Sequence, residues 1–352
     1  MENSSPKVGS EKQGHDIIVI GGSSGSIEAL RSLLPKIPAN IPAALLVVIH
    51  TSQTGPYLLP KLLRRDTALQ FATVEDKQPI SYGKIYLARP NLHLLLEDHQ
   101  MRVVFGPKEN RLRPAIDPLF RSAAWTHQSR VVGVLLSGAL DDGVAGLWDI
   151  RCCGGVTIVQ DPDSALFPGL IQNALNVMPV DYVAPPEKIA QILRDLAGTP
   201  APKPESQPEE QDRVRLENEI ETDHFNHATK LDRMGKPSGY TCPSCGGPLW
   251  KLRTQTMDRY RCRVGHVYSS ASLFQACWET SERQLYSALQ LLEENAQLGN
   301  QMITKAEADG HLASAELIEQ VRNLEREADI LRDLLYARTQ GWNPPDAPSE
   351  RA

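Results

Sequence analysis

Short, almost uninterrupted apolar runs recur through the first half of the chain. Residues 17–20, 44–49, 84–88, 131–136 and 156–160 are rich in Val, Ile and Leu and too short for helices. Such runs read as strands covered on both faces. Between them the apolar spacing lengthens to a helical period, with helices starting near Ile27, Pro118 and Val144. This alternation from residue 16 to about 197 predicts an α/β fold, a doubly wound, mostly parallel sheet.

The pattern then changes. Residues 198–211 read GTPAPKPESQPEEQ, which offers no apolar face, and the whole of 198–239 is read as a Pro- and Glu-rich linker. Residues 240–270 form a short unit punctuated by cysteine and glycine. Beyond it Leu317, Val321, Leu324, Ala328, Leu331 and Leu335 recur at spacings of four and three, and Leu285, Leu289, Leu292 and Ala296 begin a similar series. That spacing is a coiled-coil seam. Asp309-Gly310 divides the two series, so 271–338 predicts a hairpin of antiparallel helices, with one long, dimer-forming helix as the alternative. The ends, 1–15 and 339–352, are expected to be disordered.

Composition narrows the partners. The chain has 352 residues, 41% apolar and 23% charged, which favours several domains and excludes a chain disordered throughout. A net charge of −6 gives no footprint for nucleic-acid phosphates or an anionic membrane. No run reaches the roughly 18 apolar residues of a membrane span, and residues 1–14 lack an apolar targeting core. The expectation is a cytoplasmic protein that neither binds nucleic acid nor inserts into a membrane. There, six cysteines are thiols or metal ligands rather than disulfides.

Strand 17–20 runs straight into Gly21-Gly22-Ser23-Ser24-Gly25-Ser26, with a helical pattern from Ile27. Gly21, Ser23 and Gly25 match G-x-S-x-G, whose small residues let a strand-to-helix turn expose a serine hydroxyl. A Gly- and Ser-rich turn after a first strand also suits a dinucleotide phosphate, but Ser23 breaks the G-x-G-x-x-G spacing and the second strand ends in His50 where a ribose-binding acid belongs. His50 should project from the carboxyl end of its strand. Residues 131–136 lead into Ser137-Gly138-Ala139-Leu140-Asp141-Asp142-Gly143, which brings carboxylates to the same edge or merely caps a helix. Serine, histidine and carboxylate at three strand ends are the parts of a serine hydrolase.

These residues resemble the catalytic domain of the chemotaxis protein-glutamate methylesterase (CheB) family, over 16–197 nearly end to end. The matching segments are Ile20 to Gly25, Val48-Ile49-His50, Leu136 to Gly143, Arg113-Pro114-Ala115-Ile116-Asp117 and Phe167-Pro168-Gly169. The resemblance implies Ser23 as nucleophile, His50 as general base and Asp142 as the group that orients the imidazole, leaving Asp141 a bystander. It also implies oxyanion donors from the backbone of Ser24 and of the 138–140 loop, with Ala139 at its centre. His93 is a pocket candidate, a satisfied structural histidine being the alternative.

No cofactor is implied for catalysis, and methylated chemoreceptors or related signalling proteins are the implied substrates. This chain departs from the family in having Ser137-Gly138-Ala139-Leu140 where Thr-Gly-Met-Gly is usual, and Gly169-Leu170-Ile171 where Gly-Met-Pro is common. Two other readings therefore stay open: a pseudo-enzyme or scaffold, and a hydrolase of another ester or of glutamine side-chain amides. Family members carry a phosphorylatable receiver domain before the esterase domain. About fifteen residues precede the first strand here, so control is expected to come from the C-terminal parts, through self-association or a partner, with the tail dispensable for chemistry.

Cys242-Pro-Ser-Cys245 and Cys262-Arg-Val-Gly-His266 are two close ligand pairs with sixteen residues between them, near the spacing of a zinc ribbon. Four protein ligands leave no open position, so the implied zinc is structural, with Trp250 and Tyr260 able to cover it. Cys152, Cys153 and Cys277 lack such spacing and read as small buried hydrophobes.

Overall fold

The computed structural model describes residues 14–50, 57–202, 208–222 and 227–341. The chain divides into two compact units, Met1–Leu273 and Phe274–Ala352. The first begins with β1 (Ile17–Gly22), α1 (Ser26–Leu33), β2 (Ala44–Ile49), α2 (Leu59–Leu63), β3 (Gln70–Ala72), β4 (Lys84–Leu87), β5 (His93–Glu97) and β6 (Gln100–Val104). It continues with α3 (Ile116–His127), β7 (Val131–Leu135), α4 (Val144–Cys152), β8 (Val156–Gln160), α5 (Gly169–Val177), β9 (Tyr182–Ala184) and α6 (Pro186–Ala197).

Seven strands form one sheet in the order β3-β4-β2-β1-β7-β8-β9, each pair parallel. Side chains alternate across it: Ile17 and Val19 enter one core cluster, Ile18 and Ile20 the other. That two-sided burial is why β1 is apolar at every position. The chain builds outward from β1 to β2, β4 and β3, then returns to place β7 on the other side of β1. The strand order thus reverses at β1, and open α/β sheets bind ligands at the carboxyl ends of the strands at such a point. The short strands β3 and β9 and the separate antiparallel pair β5-β6 were not legible as apolar runs.

The linker expected over 198–239 is largely replaced by structure. It contains α7 (Pro208–Thr222), α8 (His227–Met234) and most of β10 (Gly235–Thr241), which joins β11 (Pro248–Leu252), β12 (Arg259–Cys262) and β13 (Val267–Ser269) in an antiparallel sheet. Val214 of α7 enters the main core, while Leu216 and Ile220 pack with Leu231, Met234, Trp250 and Leu252. Composition misled because Glu210, Arg213 and Glu217 of α7 are buried and paired rather than solvated. Glu217, fully buried, meets Arg213 at 2.6 Å, Arg259 at 2.9 Å, Arg121 at 3.4 Å and Arg261 at 3.7 Å. Against the cost of burial, these guanidiniums hold its carboxyl well below the usual range. Arg213 also pairs with Asp149 of α4, and Arg121 of α3 with Glu109 at 2.8 Å.

At the N-terminal end, the His15 N–H donates to Thr199 O at 3.4 Å, so Gly14 and His15, expected to be disordered, are held in place. Residues 1–13 and 342–352, the remaining parts of the two ends expected to be disordered, lie outside the described residues. Cys152 and Cys153 are buried as expected, whereas Cys277 is half-buried.

The chain continues through α9 (Ser270–Ala308) and α10 (Ala315–Gly341). Within the second unit these run antiparallel: Arg332 pairs with Glu293 at 2.7 Å and Asn300 donates to Glu325 at 3.0 Å. Val321, Ala328 and Leu335, seven residues apart, are buried, and a methyl added at Gly299 would lie 2.3 Å from Val321. The hairpin, not the single long helix, is what forms, and Gly310 turns it with φ 76°. Among the described residues no helix is long and apolar enough to cross a membrane.

The buried charges make α7 part of the first unit's stability. Glu217→Gln leaves several buried guanidiniums short of a counter-charge and is expected to cost about 3–5 kcal/mol. Urea denaturation of the purified variant measures this.

Candidate active site

Register places the first two candidate residues. Gly22 pairs with Ile49 across β1 and β2, and the His50 N–H donates to Gly22 O at 3.1 Å. Ser23 and His50 therefore leave adjacent strands at one level, with backbones about 5 Å apart. The Ser23 turn is held by the loop after β7: Ser23 N–H donates to Ser137 O at 2.9 Å and the Ser137 hydroxyl to Ser24 O at 2.8 Å. Gly25 adopts φ 76°, and a methyl there would lie 2.6 Å from Ser137 Oγ, so the turn needs glycine. Ser23 is half-buried and Ser24 exposed.

The loop after β7 brings Asp142, not Asp141, to the histidine. The His50 Nε2–H donates to Asp142 Oδ2 at 2.8 Å. With Nε2 engaged by a carboxylate, the lone pair of the neutral ring lies on Nδ1, free to accept a proton. Asp142 is buried but well supplied with donors. Its Oδ2 also accepts from Ile116 N–H at 2.7 Å, and its Oδ1 from Asn110 Nδ2 at 3.2 Å and, at 3.5 Å, from Asp117 N–H. Ile116 and Asp117 open α3, which has no side-chain cap of its own. Asp142 thus occupies the positive end of that helix.

Asp117 returns the arrangement. Its Oδ1 accepts from Gly143 N–H at 3.0 Å and Gly146 N–H at 2.7 Å, capping α4, and its Oδ2 accepts from Asn110 Nδ2 at 3.1 Å. Burial first, then the Asp142 charge, pushes the Asp117 carboxyl well above the usual range. Burial also raises Asp141, whose Oδ1 has no hydrogen-bond partner among the described residues. The sequence named Asp117 only as part of a motif and missed Asn110, because a lone asparagine in a loop carries no spacing signal.

His93 takes the structural alternative. It is buried on β5, its Nε2–H donates to Pro107 O at 2.9 Å, and its Nδ1 accepts from Ala115 N–H at 3.3 Å. Both nitrogens are occupied, and burial lowers its basicity. It steadies the entry to α3 instead of lining the site beside Ser23. In the oxyanion loop, Gly138 N–H is committed to Phe167 O at 2.9 Å, which narrows the candidates there to Ala139 and Leu140, alongside Ser24. Leu140, where the resembled pattern has glycine, still takes φ 63°, a left-handed conformation that costs a side chain about 1 kcal/mol.

A second constellation lies on the antiparallel sheet. Cys242, Cys245, Cys262 and His266 place their ligand atoms within 4.8 Å of one another. Cys245 and Cys262 sulfurs are 3.7 Å apart, and His266 Nδ1 lies 3.6 Å from Cys262 Sγ and 3.8 Å from Cys242 Sγ. A tetrahedral ion with sulfur at about 2.3 Å gives edges of about 3.8 Å, so the set fits a metal ion. Gly246 and Gly265, both at positive φ, turn the two ligand loops. Trp250 packs in the α7–α8 core and donates to Asp232 at 2.9 Å. Tyr268, 3.7 Å from Cys242 Sγ, is the aromatic beside the cluster.

The model of the CheB methylesterase family matches residues 18–193, half of the chain. The chain belongs to the CheB methylesterase family. A Hydrogenovibrio crunogenus protein named protein-glutamate methylesterase/protein-glutamine glutaminase is 33% identical over 193 residues, 52% of this chain and 50% of that one. A Leptospira interrogans protein that carries the designation provisionally is 35% identical over 180 residues, 51% of this chain and 93% of its own length. The crystal structure of the Thermotoga maritima CheB methylesterase catalytic domain aligns at 29% identity and TM-score 0.49, covering 51% of this chain and 98% of that one.

Within this CheB-type site the two aspartates separate cleanly. Asp142→Asn is expected to lower kcat for a small ester by about a thousandfold or more, because an amide no longer holds the working tautomer of His50. Asp141→Asn should stay within about tenfold of the parent. Steady-state kinetics on the two variants compares them, and the reverse ranking would reassign the carboxylate.

Proposed function

We propose that this protein is a protein-glutamate methylesterase acting through Ser23, His50 and Asp142. The observation that carries the reading is the His50–Asp142 pair, held on buried donors at the sheet's switch point, beside a serine on a strand-to-helix turn. A scaffold that had lost its chemistry has no need of that pair, which favours the enzyme over the pseudo-enzyme.

In the proposed reaction the Ser23 hydroxyl gives its proton to His50 Nδ1 as Oγ attacks the carbonyl carbon of a glutamate methyl ester. N–H groups of Ser24 and Ala139 or Leu140 receive the developing oxyanion. As the tetrahedral intermediate collapses, the ester C–O bond breaks and His50 returns the proton to the methoxy oxygen, so methanol leaves. Water then loses a proton to His50 and attacks the acyl-enzyme. Release of glutamate restores the Ser23 hydroxyl. Asp142 holds the imidazole by its Nε2–H and stabilises the transient imidazolium.

The same sequence on a glutamine side chain expels ammonia, the second activity named for the relatives. Methylated chemoreceptors or related signalling proteins in the cytoplasm are the substrate class we assign. The exposed Leu166 and Phe167 form an apolar rim beside the Ser23 turn, suited to contact with a protein surface. The helical hairpin, with Leu291, Leu298 and Ile330 exposed, is read as the surface for self-association or a partner.

The Cys3His cluster is assigned to structural zinc. Thiolates and an imidazole at tetrahedral spacing suit that ion, and four protein ligands leave no position for substrate. Zinc there would hold β10 to β13 together and take no part in the ester chemistry.

Incubation with methylated receptor cytoplasmic domains should release methanol and remove one methylene of mass per modified glutamate. Ser23→Ala should lower that rate by about a thousandfold or more. Methanol release undiminished by the substitution would refute the assignment of the nucleophile.

Elemental analysis of protein purified without chelator should find one zinc per chain, lost in Cys245→Ser. Hydrogen exchange should then rise across residues 235–269. Metal-free protein with those amides still protected would overturn the zinc assignment.

A further inference from the structure

Asn110 links the catalytic carboxylate to the cysteine-rich sheet. It sits at φ 47° in the loop between β6 and α3, a conformation asparagine tolerates better than most side chains. The loop is stitched to β13: Asn110 N–H donates to Val267 O at 2.8 Å, and Val267 N–H donates to Lys108 O at 3.3 Å. The side chain continues the connection. Its Oδ1 accepts from the Ser269 N–H at 3.0 Å and from the Ser272 hydroxyl at 2.9 Å. Its Nδ2 donates to Asp142 Oδ1 at 3.2 Å and to Asp117 Oδ2 at 3.1 Å.

Four partners thus saturate one buried amide, and they also fix which way it faces. The Ser269 N–H, shared with Ser272 Oγ at 2.9 Å, can only donate, so it favours the oxygen on its side. The two amide hydrogens are then aimed at the two carboxyl groups. Loss of Ser269 and Ser272 leaves only the carboxyl end of the amide anchored, so its N–H groups hold their aim at Asp142 and Asp117 less firmly. Asp142 would keep its contacts with the Ile116 and Asp117 N–H groups, but a looser Asn110 bond at Oδ1 gives a looser aim of Oδ2 at His50. Ser269 ends β13 and Ser272 lies in the first turn of α9, both outside the segment that matches the family.

We infer that Asn110 is a positioning residue for the esterase reaction, and that β13 and the start of α9 complete the active site by orienting its amide towards Asp142. This rests on the Ser23–His50–Asp142 reading and extends it to control. Docking of the C-terminal sheet becomes a requirement for full turnover, so a partner that loosened β13 would slow chemistry without touching Ser23. The expectation of a tail dispensable for chemistry is replaced by this dependence.

The experiment uses the full chain and a chromogenic small ester, with active centres counted by a fluorophosphonate that labels the nucleophilic serine. Rates per labelled centre exclude a simple loss of folded protein. Asn110→Ala should lower kcat per centre about tenfold or more with KM changed less than about twofold, since the group acts on the base and not on substrate binding. Ser272→Ala, remote from the reacting atoms, should lower kcat about threefold or more. The double variant should be no slower than Asn110→Ala, because both changes break one chain of bonds.

If Asn110→Ala does not fold, Asn110→Asp, which keeps an acceptor for Ser269 and Ser272 but loses the donor to Asp142, should show the same loss. Unchanged kcat per centre in Asn110→Ala or Asn110→Asp, or single effects that multiply in the double variant, overturns the inference. The underlying triad is tested separately in Ser23→Ala. Labelling and turnover that survive that change refute the triad, whatever Asn110 does.

Discussion

Two helix N-termini face each other across the site, and each is capped by a carboxyl group from the other's side. Asp142, from the loop leading into α4, takes the first N–H groups of α3, while Asp117, in the first turn of α3, takes N–H groups at the start of α4. This exchange fixes the distance between the helices and therefore the position of the Asp142 carboxylate. Two buried carboxyl groups so close would repel if both were ionised. The conflict is met by raising the affinity of Asp117 for its proton and by placing Asn110 between the pair. His50 then receives an acid that cannot drift, and Ser23 lies on the strand next to it.

The sheet supplies the other half of the geometry. Because β1 lies between β2 and β7, the three chain segments that follow these strands open at one edge, and they carry Ser23, His50 and Asp142 respectively. Strict parallel register makes the first two neighbours without any side-chain bond being needed to hold them so. Rigid strands place His50 and Ser23, and the helix caps place Asp142. The turn that carries Ser23 is fastened to the same loop through Ser137, so a single segment, 137–143, supports the Ser23 turn and carries Asp142.

The strands of the main sheet could be read from the sequence wherever they were buried on both faces, since burial there demands apolar residues at every position. The same rule missed β3 and β9, which are three residues each, and could not anticipate α7. That helix reads PEEQDRVRLENEIET, and composition alone makes it a solvated segment. Its stability comes from charges on β12, α3 and α4 that are distant in sequence, and no local pattern records such a pairing. That Ser23, His50 and Asp142 share one sheet edge was legible because each lies in a segment that follows an apolar strand. Asn110 and the capping role of Asp117 were not, because their function exists only once two helices and a distant strand have come together.

The buried ion network gives the connection between sheet and site its stiffness. Arg259 and Arg261 lie on β12, which pairs with β13, and both approach Glu109, the residue before Asn110. Glu109 in turn meets Arg121 of α3 at 2.8 Å, and despite its burial these cations lower its carboxyl to about 2. A carboxylate so far below neutrality stays charged at any physiological pH, so the clamp does not loosen by titration of Glu109. What can loosen it is physical withdrawal of β12 and β13, the strands next to the Cys3His cluster. The His50–Asp142 pair at the sheet edge and the sheet that carries the Cys3His cluster are thereby connected through two adjacent residues. Glu109 carries the electrostatic part of the link and Asn110 the directional part.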